Sequence, residues 1–417
     1  MRIVLLASGS RGDVQPYIAL GMGLRKKGHS ICIATAENFE EYVTSYGLDF
    51  YPIQGDISKV MNRAEIESQM KAKNPIRFIL SFNKMNKTFR KDLDEGQEKA
   101  WEASQEADAI IFHPGLMNGY YISKKLGIPG ILASPIPFSP TSEYPALLFY
   151  NSPRIGGWFN RFTHLVFNYV FWSSIKPSVE TLWKKHDPSI QVKNPLVQIH
   201  EEELPVIYSI SRYVIPPSKD WKDNIKVSGY WFPDDKEYMP PIELAEFLES
   251  GSEPVYVGFG SVGKVAENTT RAVVEALLRL DKRVIVTSSI VEERWLDDNR
   301  MFVLESAPHT WLFPRMSMVV HHGGAGTTAA GLMSGKPSVI VPQSNDQPMW
   351  GKRVEELGVG TMVRASRGAI SVGKFSEVFK EMEKEEVIEK ASELGRLIEA
   401  ENGVQEAVCF ISRWLKR

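Results

Sequence analysis

The residues best suited to chemistry form one glycine-rich stretch, His321-His322-Gly323-Gly324-Ala325-Gly326-Thr327-Thr328. It lies between an apolar run and a segment of small residues, which predicts a turn from a strand into a helix. Glycines let the backbone approach a diphosphate closely, and the unpaired N–H groups of a helix's first turn attract anions. Hydroxyl groups and a histidine ring N–H can add hydrogen bonds. The stretch predicts a diphosphate site that needs no metal, and a glycine turn with packed histidines is the alternative.

Two other nucleotide-binding patterns do not describe this stretch. The stretch lacks the Gly-Lys-Ser/Thr ending of a P-loop, and neither it nor Gly9–Gly12 contains the dinucleotide pattern G-x-G-x-x-G. The pair Asp92 and Asp94 resembles metal-binding carboxylates, but it lies in a charge-rich segment typical of a solvated helix face. We therefore predict no metal site.

Further loops in the second half follow apolar runs. Asp346 and Gln347 come after the next run, where a carboxylate and an amide suit neighbouring sugar hydroxyls. Asp346 is an equally good candidate for a helix N-cap. Ser261 and the Pro308-His309 pair end two other runs, and each suits either a nucleotide contact or a simple turn.

The first half opens with its own loop, which contains Ser10, Arg11, Gly12 and Asp13. Transfer of a group to a hydroxyl needs a base that takes the acceptor's proton, and a carboxylate at this position can serve. Helix capping is the alternative role of Asp13. His113, which follows a later apolar run, is a candidate accessory group or rival base, although an isolated histidine there is also typical of a structural residue.

Apolar runs alternate with helical periodicity in both halves, which predicts parallel sheets built from βαβ units. We expect an α/β protein with two doubly wound domains that face each other across a cleft. The predicted strands include Arg2–Ala7, Ser30–Thr35, Ala109–Phe112, Gly130–Ala133, Pro254–Phe259, Arg283–Ser288, Met316–Val320 and Ser338–Val341, and the first helix is predicted over Pro16–Lys27. The predicted domains are 1–215, a proline-rich linker at 216–241, 242–400, and a C-terminal helix at 401–417 that packs back on the first domain.

Composition excludes several classes of protein. The 417 residues carry a formal net charge of -2, which gives no electrostatic case for nucleic acid. Two cysteines cannot form a disulfide framework, and neither a secretory signal nor a membrane-spanning run is present. We expect a cytoplasmic protein with no obligate protein partner. The segment 59–99 has ten basic against six acidic residues, so it is either a solvated helix or a peripheral contact with anionic lipid.

Three stretches resemble one family, the sterol 3-beta-glucosyltransferases of the UDP-glycosyltransferase superfamily. Residues 321–360, HHGGAGTTAAGLMSGKPSVIVPQSNDQPMWGKRVEELGVG, are similar to its donor-site signature. Residues 9–24 are similar to its opening loop, and residues 143–172 to its acceptor-domain segment. The resemblance implies the GT-B fold of two Rossmann-like domains. It also implies inverting, metal-independent transfer, with UDP-glucose as co-substrate and no cofactor.

The resemblance also assigns roles by position. Asp13 would be the general base, where many other members of the superfamily have a histidine. Asp346 and Gln347 would hold the donor sugar, and Ala330 stands where plant-type relatives carry a glutamate that binds ribose. The remaining donor contacts would be Ser261, His322, Gly324, Gly326, Thr327 and Thr328 for the diphosphate, and Ala307, Pro308 and His309 for the nucleotide.

Aromatic residues are dense between positions 138 and 172, as a pocket for a flat apolar acceptor or an ordinary core would require. We take Phe138, Tyr144, Phe171 and Trp172 as candidate acceptor contacts, such as for a sterol or triterpenoid. The sequence leaves open a polyketide, flavonoid or glycopeptide acceptor, a nucleotide-sugar epimerase, and a lipid-binding module without catalysis. The other aromatic residues of this dense stretch are Phe149, Trp158, Phe159, Phe162, Phe167 and Tyr169.

Overall fold

The computed structural model describes residues 1–54, 90–234, 238–259, 263–287, 292–343, 347–364 and 371–416. The chain divides into two compact units. The first unit comprises Met1–Pro233 together with Glu401–Arg417, and the second comprises Asp234–Ala400. Across the described ranges, no helix is both long enough and apolar enough to cross a bilayer.

The first unit contains a seven-stranded parallel sheet. Its strands are β1 Arg2–Leu6, β2 Ser30–Ala36, β3 Asp49–Gln54, β4 Ala109–Phe112, β5 Gly130–Ser134, β6 Val206–Tyr208 and β7 Ile225–Val227. They lie in the order β3-β2-β1-β4-β5-β6-β7. Strand β1 is a nearly continuous apolar run because Ile3 and Leu5 on one face and Val4 and Leu6 on the other are all fully buried.

Helices connect these strands and cover the sheet. They are α1 Arg11–Arg25, α2 Glu40–Ser45, α3 Arg90–Ala103, α4 Asn118–Leu126, α5 Gly157–His186 and α6 Pro195–Glu201. Short 3₁₀ turns occupy Glu37–Phe39, Pro114–Leu116 and Leu147–Phe149. The longest of these helices, α5, follows the extended loop that leaves the carboxyl end of β5.

The second unit contains a six-stranded parallel sheet. Its strands are β8 Val255–Gly258, β9 Val284–Thr287, β10 Met301–Val303, β11 Met318–His321, β12 Ser338–Ile340 and β13 Gly360–Met362. They lie in the order β10-β9-β8-β11-β12-β13. The helices of this unit are α7 Ile242–Glu249, α8 Gly263–Arg279, α9 Glu293–Leu296, α10 His309–Leu312, α11 Ala325–Met333, α12 Gln347–Leu357, α13 Val372–Met382 and α14 Glu385–Glu399, with a 3₁₀ turn at Phe313–Arg315.

The last helix, α15 Gly403–Trp414, belongs to the first unit. Its residues Phe410 and Ile411 are buried in the same apolar core as Leu5 and Ile33 of the sheet. Gly23 of α1 makes room for it, because a Cβ at position 23 would lie 2.7 Å from a methyl carbon of Val404. The end of the chain therefore completes the core around its beginning.

Strand order fixes where each unit can bind a ligand. In both sheets the order reverses between the first strand and the fourth, that is, between β1 and β4 and between β8 and β11. Ligands of doubly wound sheets bind at such a switch point, outside the carboxyl ends of the strands. The loop before Asp13 and the residue His113 follow β1 and β4, whereas His321 and His322 lie at the end of β11.

Two expectations from the sequence are corrected. The first helix begins at Arg11 rather than at Pro16, because Ser10 caps it and Pro16 is accommodated inside it. The stretch 216–241 is not simply a linker, because β7 pairs with β6 within it and Pro233 still belongs to the first unit. Most of the basic segment 59–99 lies outside the described residues, and its described end forms part of α3.

Removing buried volume from α15 should destabilise the first unit. Ile411 is fully buried, so Ile411→Ala should lower the free energy of unfolding by about 2–5 kcal/mol, measured by urea denaturation. Ile388→Ala, at an exposed site on α14, should change it by less than about 0.5 kcal/mol. Equal effects of the two substitutions would contradict the burial of α15.

Candidate functional site

Asp13 lies in the first turn of α1, at the third helical position after the N-cap Ser10. Its Oδ2 accepts hydrogen bonds from the Ser10 backbone N–H at 2.8 Å and from Ser10 Oγ at 2.9 Å. The first of these bonds is the return half of a capping box. The carboxylate is thus held by its Oδ2, and Oδ1 is the oxygen nearest to His113.

Gly9 is required for this placement of the carboxylate. Its φ of +130° lies in a region that favours glycine, and a Cβ at position 9 would lie 2.3 Å from Asp13 Oδ2. By contrast, the Arg11 guanidinium lies 4.6 Å from the centre of the Tyr42 ring. Of the predicted loop residues, Ser10 therefore contacts Asp13 directly, whereas Arg11 stacks elsewhere and Gly12 is part of the helix.

His113 follows β4 and faces Asp13 from the neighbouring strand. Its Nδ1 accepts a hydrogen bond from the Gly115 N–H at 3.0 Å, and its Nε2 lies 3.9 Å from Asp13 Oδ1. Burial lowers the pKa of His113, and the nearby Asp13 opposes that shift only in part. The ring is therefore neutral at neutral pH, with its hydrogen on Nε2, on the side of the carboxylate.

Tyr17 supports His113 and was not among the residues predicted from the sequence. Its ring meets the His113 ring edge-on at 5.9 Å, and its hydroxyl donates to the Ala133 carbonyl at 2.5 Å. Burial, followed by the nearby Asp13, raises the pKa of Tyr17, so the hydroxyl stays protonated. In the sequence, Tyr17 occupies an apolar position of a helix, and nothing there indicated that it would support His113.

His321, at the end of β11, shapes the glycine-rich loop of the second unit. It is fully buried, and its Nδ1 accepts a hydrogen bond from the Gly323 N–H at 3.0 Å. Burial, with the neighbouring His322 and His309, holds the pKa of His321 well below its ordinary value. The turn is therefore built around a neutral histidine that accepts from the backbone.

The helix that follows this loop starts without a side-chain cap. Gly324 is the N-cap of α11, and among the described residues no side chain makes a cap hydrogen bond there. The first amides of a helix have no acceptor within it, and here they belong to the partly exposed Ala325, Gly326 and Thr327. The hydroxyl of Thr328 is buried and has no hydrogen-bond partner. The first turn of α11 therefore brings together several hydrogen-bond donors, namely these backbone amides and the Thr328 hydroxyl.

His322 packs closely against the same turn. A Cβ at Gly324 would lie 2.7 Å from His322 Nε2, so only glycine fits beside the ring. Burial lowers the pKa of His322, and a hydrogen bond to the Gly258 backbone opposes that shift. The ring thus links the loop to the end of β8, and its donation to a phosphate stays a prediction.

The predicted nucleotide turn, Ala307 to His309, starts α10 and contacts β8. His309 stacks on Phe313 with ring centres 4.3 Å apart, and its Nε2 lies 3.3 Å from the Tyr256 hydroxyl. Tyr256 also pairs with Thr287 Oγ1 at 2.8 Å, and burial raises the pKa of Tyr256 to about 12. Tyr256 of β8, Thr287 of β9 and His309 of α10 therefore meet in one polar cluster, of which the sequence indicated only His309.

The predicted sugar-binding loop is described only in part, because Asp346, like Ser261 of the diphosphate set, lies outside the described residues. Gln347 starts α12, and its Oε1 accepts a hydrogen bond from the Gln343 backbone N–H at 2.6 Å. The Gln343 side chain, which the sequence did not single out, has both polar atoms buried without a partner. It is therefore a further amide with unused hydrogen-bonding capacity at the end of β12.

The predicted acceptor residues separate into two groups. Phe138 and Phe171 belong to one cluster with Phe167, with ring centres 5.1–6.2 Å apart. Trp172 is also buried on α5, whereas Tyr144 packs edge-on against Trp221 at 6.3 Å. Three other aromatic residues of this dense stretch, Trp158, Phe162 and Tyr169, have exposed side chains.

Within the described part of the chain, no group of three or more His, Cys, Asp or Glu side chains is arranged to hold a metal ion. In the second unit, the start of α11 at Gly324 has the features that suit a multiply charged anion.

Two stretches of the chain match known domain families. Residues 3–145 match the Glycosyltransferase family 28 N-terminal domain. Residues 271–395 match the Erythromycin biosynthesis protein CIII-like, C-terminal domain. Asp13 and His113 lie in the first match, and the loop around His322 lies in the second.

Curated relatives match nearly the whole chain. It is 37% identical to a sterol 3-beta-glucosyltransferase of Sclerotinia sclerotiorum and 36% identical to one of Yarrowia lipolytica, in both cases over 99% of its length. The chain spans 29% of the length of each of these relatives. The resemblance predicted from the three sequence stretches is thereby confirmed.

Solved structures of low sequence identity share the fold. They include the glycotransferase of kitacinnamycin, the calicheamicin glycosyltransferase CalG4, and VinC in complex with dTDP, each with a TM-score of 0.71. Identities are 18%, 16% and 16%, and each alignment covers at least 99% of both chains. The predicted GT-B fold with two Rossmann-like domains is confirmed.

Acidification should destabilise the folded protein through His164, the buried histidine of α5. Burial lowers the pKa of His164 to about 4, so the unfolded chain binds a proton near pH 6.5 that the folded protein binds only near pH 4. Stability present above about pH 6.5 is therefore lost as the pH falls towards 4, by about 3 kcal/mol at this residue.

The test compares urea denaturation of the wild type with that of His164→Gln at several pH values. Glutamine can still donate to the Tyr144 carbonyl, which His164 Nε2 contacts at 3.1 Å, but it does not titrate. We expect a shallower loss of stability in the variant. The other buried histidines titrate in both proteins, so parallel curves would disprove the role of His164.

Proposed function

Because the chain belongs to the UDP-glycosyltransferase superfamily, we propose that it transfers glucose from UDP-glucose to a hydroxyl of a lipophilic acceptor such as a sterol. The observation that carries the proposal is the uncapped N-terminus of α11, with the unpaired Thr328 hydroxyl beside it. A nucleoside diphosphate is the leaving group that such a concentration of donors stabilises best.

The donor's diphosphate binds across the first turn of α11. Amides at Gly326 and Thr327 and the hydroxyl of Thr328 donate to its oxygens, and the helix dipole adds partial positive charge. Ser261 and His322 complete the set, with His322 releasing its hydrogen bond to the Gly258 backbone when it turns towards phosphate. Since these donors stabilise the negative charge of the leaving UDP, transfer needs no metal ion.

The nucleotide and the sugar bind to the flanking loops. The Ala307–His309 turn contacts the nucleotide, next to the hydroxyl cluster formed by Tyr256 and Thr287. Asp346 and Gln347 bind hydroxyls of the donor sugar. Gln343 is a further candidate for such a contact, because its buried amide has no hydrogen-bond partner in the described part of the chain.

Asp13 is the base. Its Oδ1 takes the proton of the acceptor hydroxyl while the acceptor oxygen bonds to C1 of the sugar and the bond from C1 to the diphosphate breaks. Attack opposite to the leaving group inverts C1. His113 is a poorer base, because its Nδ1 already accepts from Gly115 and its Nε2 carries the hydrogen. It serves instead as a neighbouring donor that orients Asp13 or the acceptor.

Two observations support a lipophilic acceptor. The relatives that match nearly the whole chain are named for a sterol acceptor. The cluster of Phe138, Phe167 and Phe171 follows the carboxyl end of β5 and offers flat apolar surface. The proposal is tested by incubating the protein with UDP-glucose and a panel of sterols, triterpenoids and flavonoids, with product mass as the readout. Failure of every acceptor and every UDP-sugar to react would refute it.

Replacing the base should separate catalysis from binding. In Asp13→Asn the side-chain oxygen can still accept from Ser10, but it can no longer take a proton, so kcat should fall about 10²–10⁴-fold. UDP affinity, measured by calorimetry, should stay unchanged. His113→Gln is the companion variant and should lose much less. A larger loss in His113→Gln than in Asp13→Asn would reverse the two assignments.

Removing one hydroxyl should weaken donor binding without weakening the fold. Thr328 Oγ1 has no hydrogen-bond partner among the residues that the structure describes, so Thr328→Val should leave the free energy of unfolding nearly unchanged. UDP affinity should fall roughly 10- to 100-fold, since a hydrogen bond to a charged group contributes about 1.5–3 kcal/mol. The control, Ser334→Ala at the other end of α11, should bind UDP normally. Wild-type affinity in Thr328→Val would exclude this hydroxyl from the site.

A further inference from the structure

The loop that follows β5 carries two of the candidate acceptor contacts. It spans residues 135–156, ends where α5 begins, and contains Phe138 and Tyr144. Its one regular element is the short 3₁₀ turn at Leu147–Phe149, in a range that the structure describes completely. Buried backbone groups outside helices and sheets need other hydrogen-bond partners. The partners of this loop therefore decide where Phe138 and Tyr144 lie.

The connection between β6 and β7 holds this loop through residues 218–221. Ser218 Oγ pairs with Thr141 Oγ1 at 2.6 Å, and this pair is buried. Trp221 donates its indole N–H to the Pro140 carbonyl at 3.2 Å. These contacts join residues that are distant along the chain, so they fix the loop to the sheet of the first unit rather than to its own neighbours.

Asp220, within the same connection, binds the loop through a charged group. Its Oδ2 accepts hydrogen bonds from the Ser142 N–H and, at 2.7 Å, from Ser142 Oγ. Its Oδ1 accepts from the Arg161 guanidinium of α5 at 2.9 Å. The two bonds from Ser142, followed by the bond from Arg161, lower the pKa of Asp220 to about 2, so the carboxylate is ionised at neutral pH. Hydrogen bonds to an ionised group are stronger than neutral ones, which makes Asp220 the main tie to the loop.

Ser142 is held through each of its polar groups. Its N–H and its hydroxyl donate to Asp220, and its carbonyl accepts from the Asn160 side chain of α5 at 2.8 Å. Ser142 comes four residues after Phe138 and two residues before Tyr144. It is therefore a fixed point of the loop between the two candidate acceptor contacts.

We propose that Asp220 is a positioning residue for the lipophilic acceptor, because it fixes Ser142 and with it Phe138 and Tyr144. Apolar contacts are not directional, so aromatic side chains on a loop keep their places only if polar ties hold the backbone. Asp220 acts through the loop and does not touch the acceptor. The inference rests on the proposed function, since that function assigns a lipophilic acceptor to this loop.

The test measures binding of a fluorescent sterol, dehydroergosterol, to the full chain by energy transfer from tryptophan. Asp220→Asn keeps the shape of the side chain but has one acceptor oxygen, so it can accept from Ser142 or from Arg161 and not from both. The dissociation constant for the sterol should rise about tenfold or more. UDP affinity, measured by calorimetry, should stay at the wild-type value, because the proposed donor site belongs to the second unit.

Asp187 provides a matched control, because it has the same kinds of partners away from the loop. It accepts from the N–H and the hydroxyl of Ser189 at 3.1 Å and 2.6 Å, and it pairs with Lys125 at 2.7 Å. The bond from Lys125, followed by those from Ser189, lowers the pKa of Asp187 to about 2 as well. Asp187→Asn should therefore lose similar hydrogen bonds and still bind the sterol as the wild type does.

A second variant, Ser142→Ala, keeps the Asp220 carboxylate and its Arg161 partner and removes one hydrogen bond. It should weaken sterol binding by about three- to tenfold, whether or not Asp220→Asn folds. Wild-type sterol affinity in Ser142→Ala would overturn the proposal.

Three further outcomes would overturn it. They are absence of sterol binding by the wild type, an equal loss of sterol affinity in Asp187→Asn, and an Asp220→Asn protein that is less stable in urea but binds the sterol normally. Sterol binding without glucose transfer would refute the proposed function and leave the role of Asp220 in binding intact. If transfer occurs, Asp220→Asn should raise the KM for sterol and leave both kcat and the KM for UDP-glucose unchanged.

Discussion

The first N–H groups of a helix have no acceptor within it, and both candidate sites depend on how that deficit is met. In α1 a side chain of the helix itself supplies a missing acceptor, because the Asp13 carboxylate accepts a hydrogen bond from the Ser10 backbone N–H. In α11 the N-cap is Gly324, and no side chain caps the turn. One helix start therefore orients a carboxylate, and the other offers its donors to an anion. The same backbone chemistry underlies the proposed base in the first unit and the proposed leaving-group site in the second.

The two units also share one turn at their switch points, although their sequences show no repeat. His113 Nδ1 accepts from the amide of Gly115, and His321 Nδ1 accepts from the amide of Gly323, both at 3.0 Å. Each histidine lies at the carboxyl end of the strand that comes fourth along the chain in its sheet. His321 is the last residue of β11, and His113 directly follows β4. Burial lowers the pKa of both rings, and only a neutral ring can accept from an amide through Nδ1. Each turn therefore requires that its histidine ring stay unprotonated at Nδ1.

Sequence patterns predicted the central strands and the glycine-rich loop, since a short apolar run between turns is typical of a buried strand and clustered glycines are typical of a tight turn. They missed β3, because Pro52 lies inside this edge strand, and also β6, β7 and β13, because three residues carry too little periodicity. The start of α1 was misplaced since Pro16 indicated a first turn, whereas the capping box of Ser10 and Asp13 outweighed it. The buried face of α5 carries polar side chains such as Asn160 and Asn168, which donate to carbonyls of the loop after β5. These contacts join segments that are distant along the chain, so no local sequence pattern encodes them.

The first unit is discontinuous in the chain, and this has a consequence for folding. Ile411 and Phe410 share a core with β1, yet they follow the whole second unit along the chain. Glu401, where the chain re-enters this unit, has a buried carboxylate that accepts from the Arg212 backbone N–H at 2.9 Å. Contacts of such large sequence separation carry a high cost in chain entropy before they form. The α1 helix that positions Asp13 therefore reaches its final packing only after the whole second unit has been synthesised.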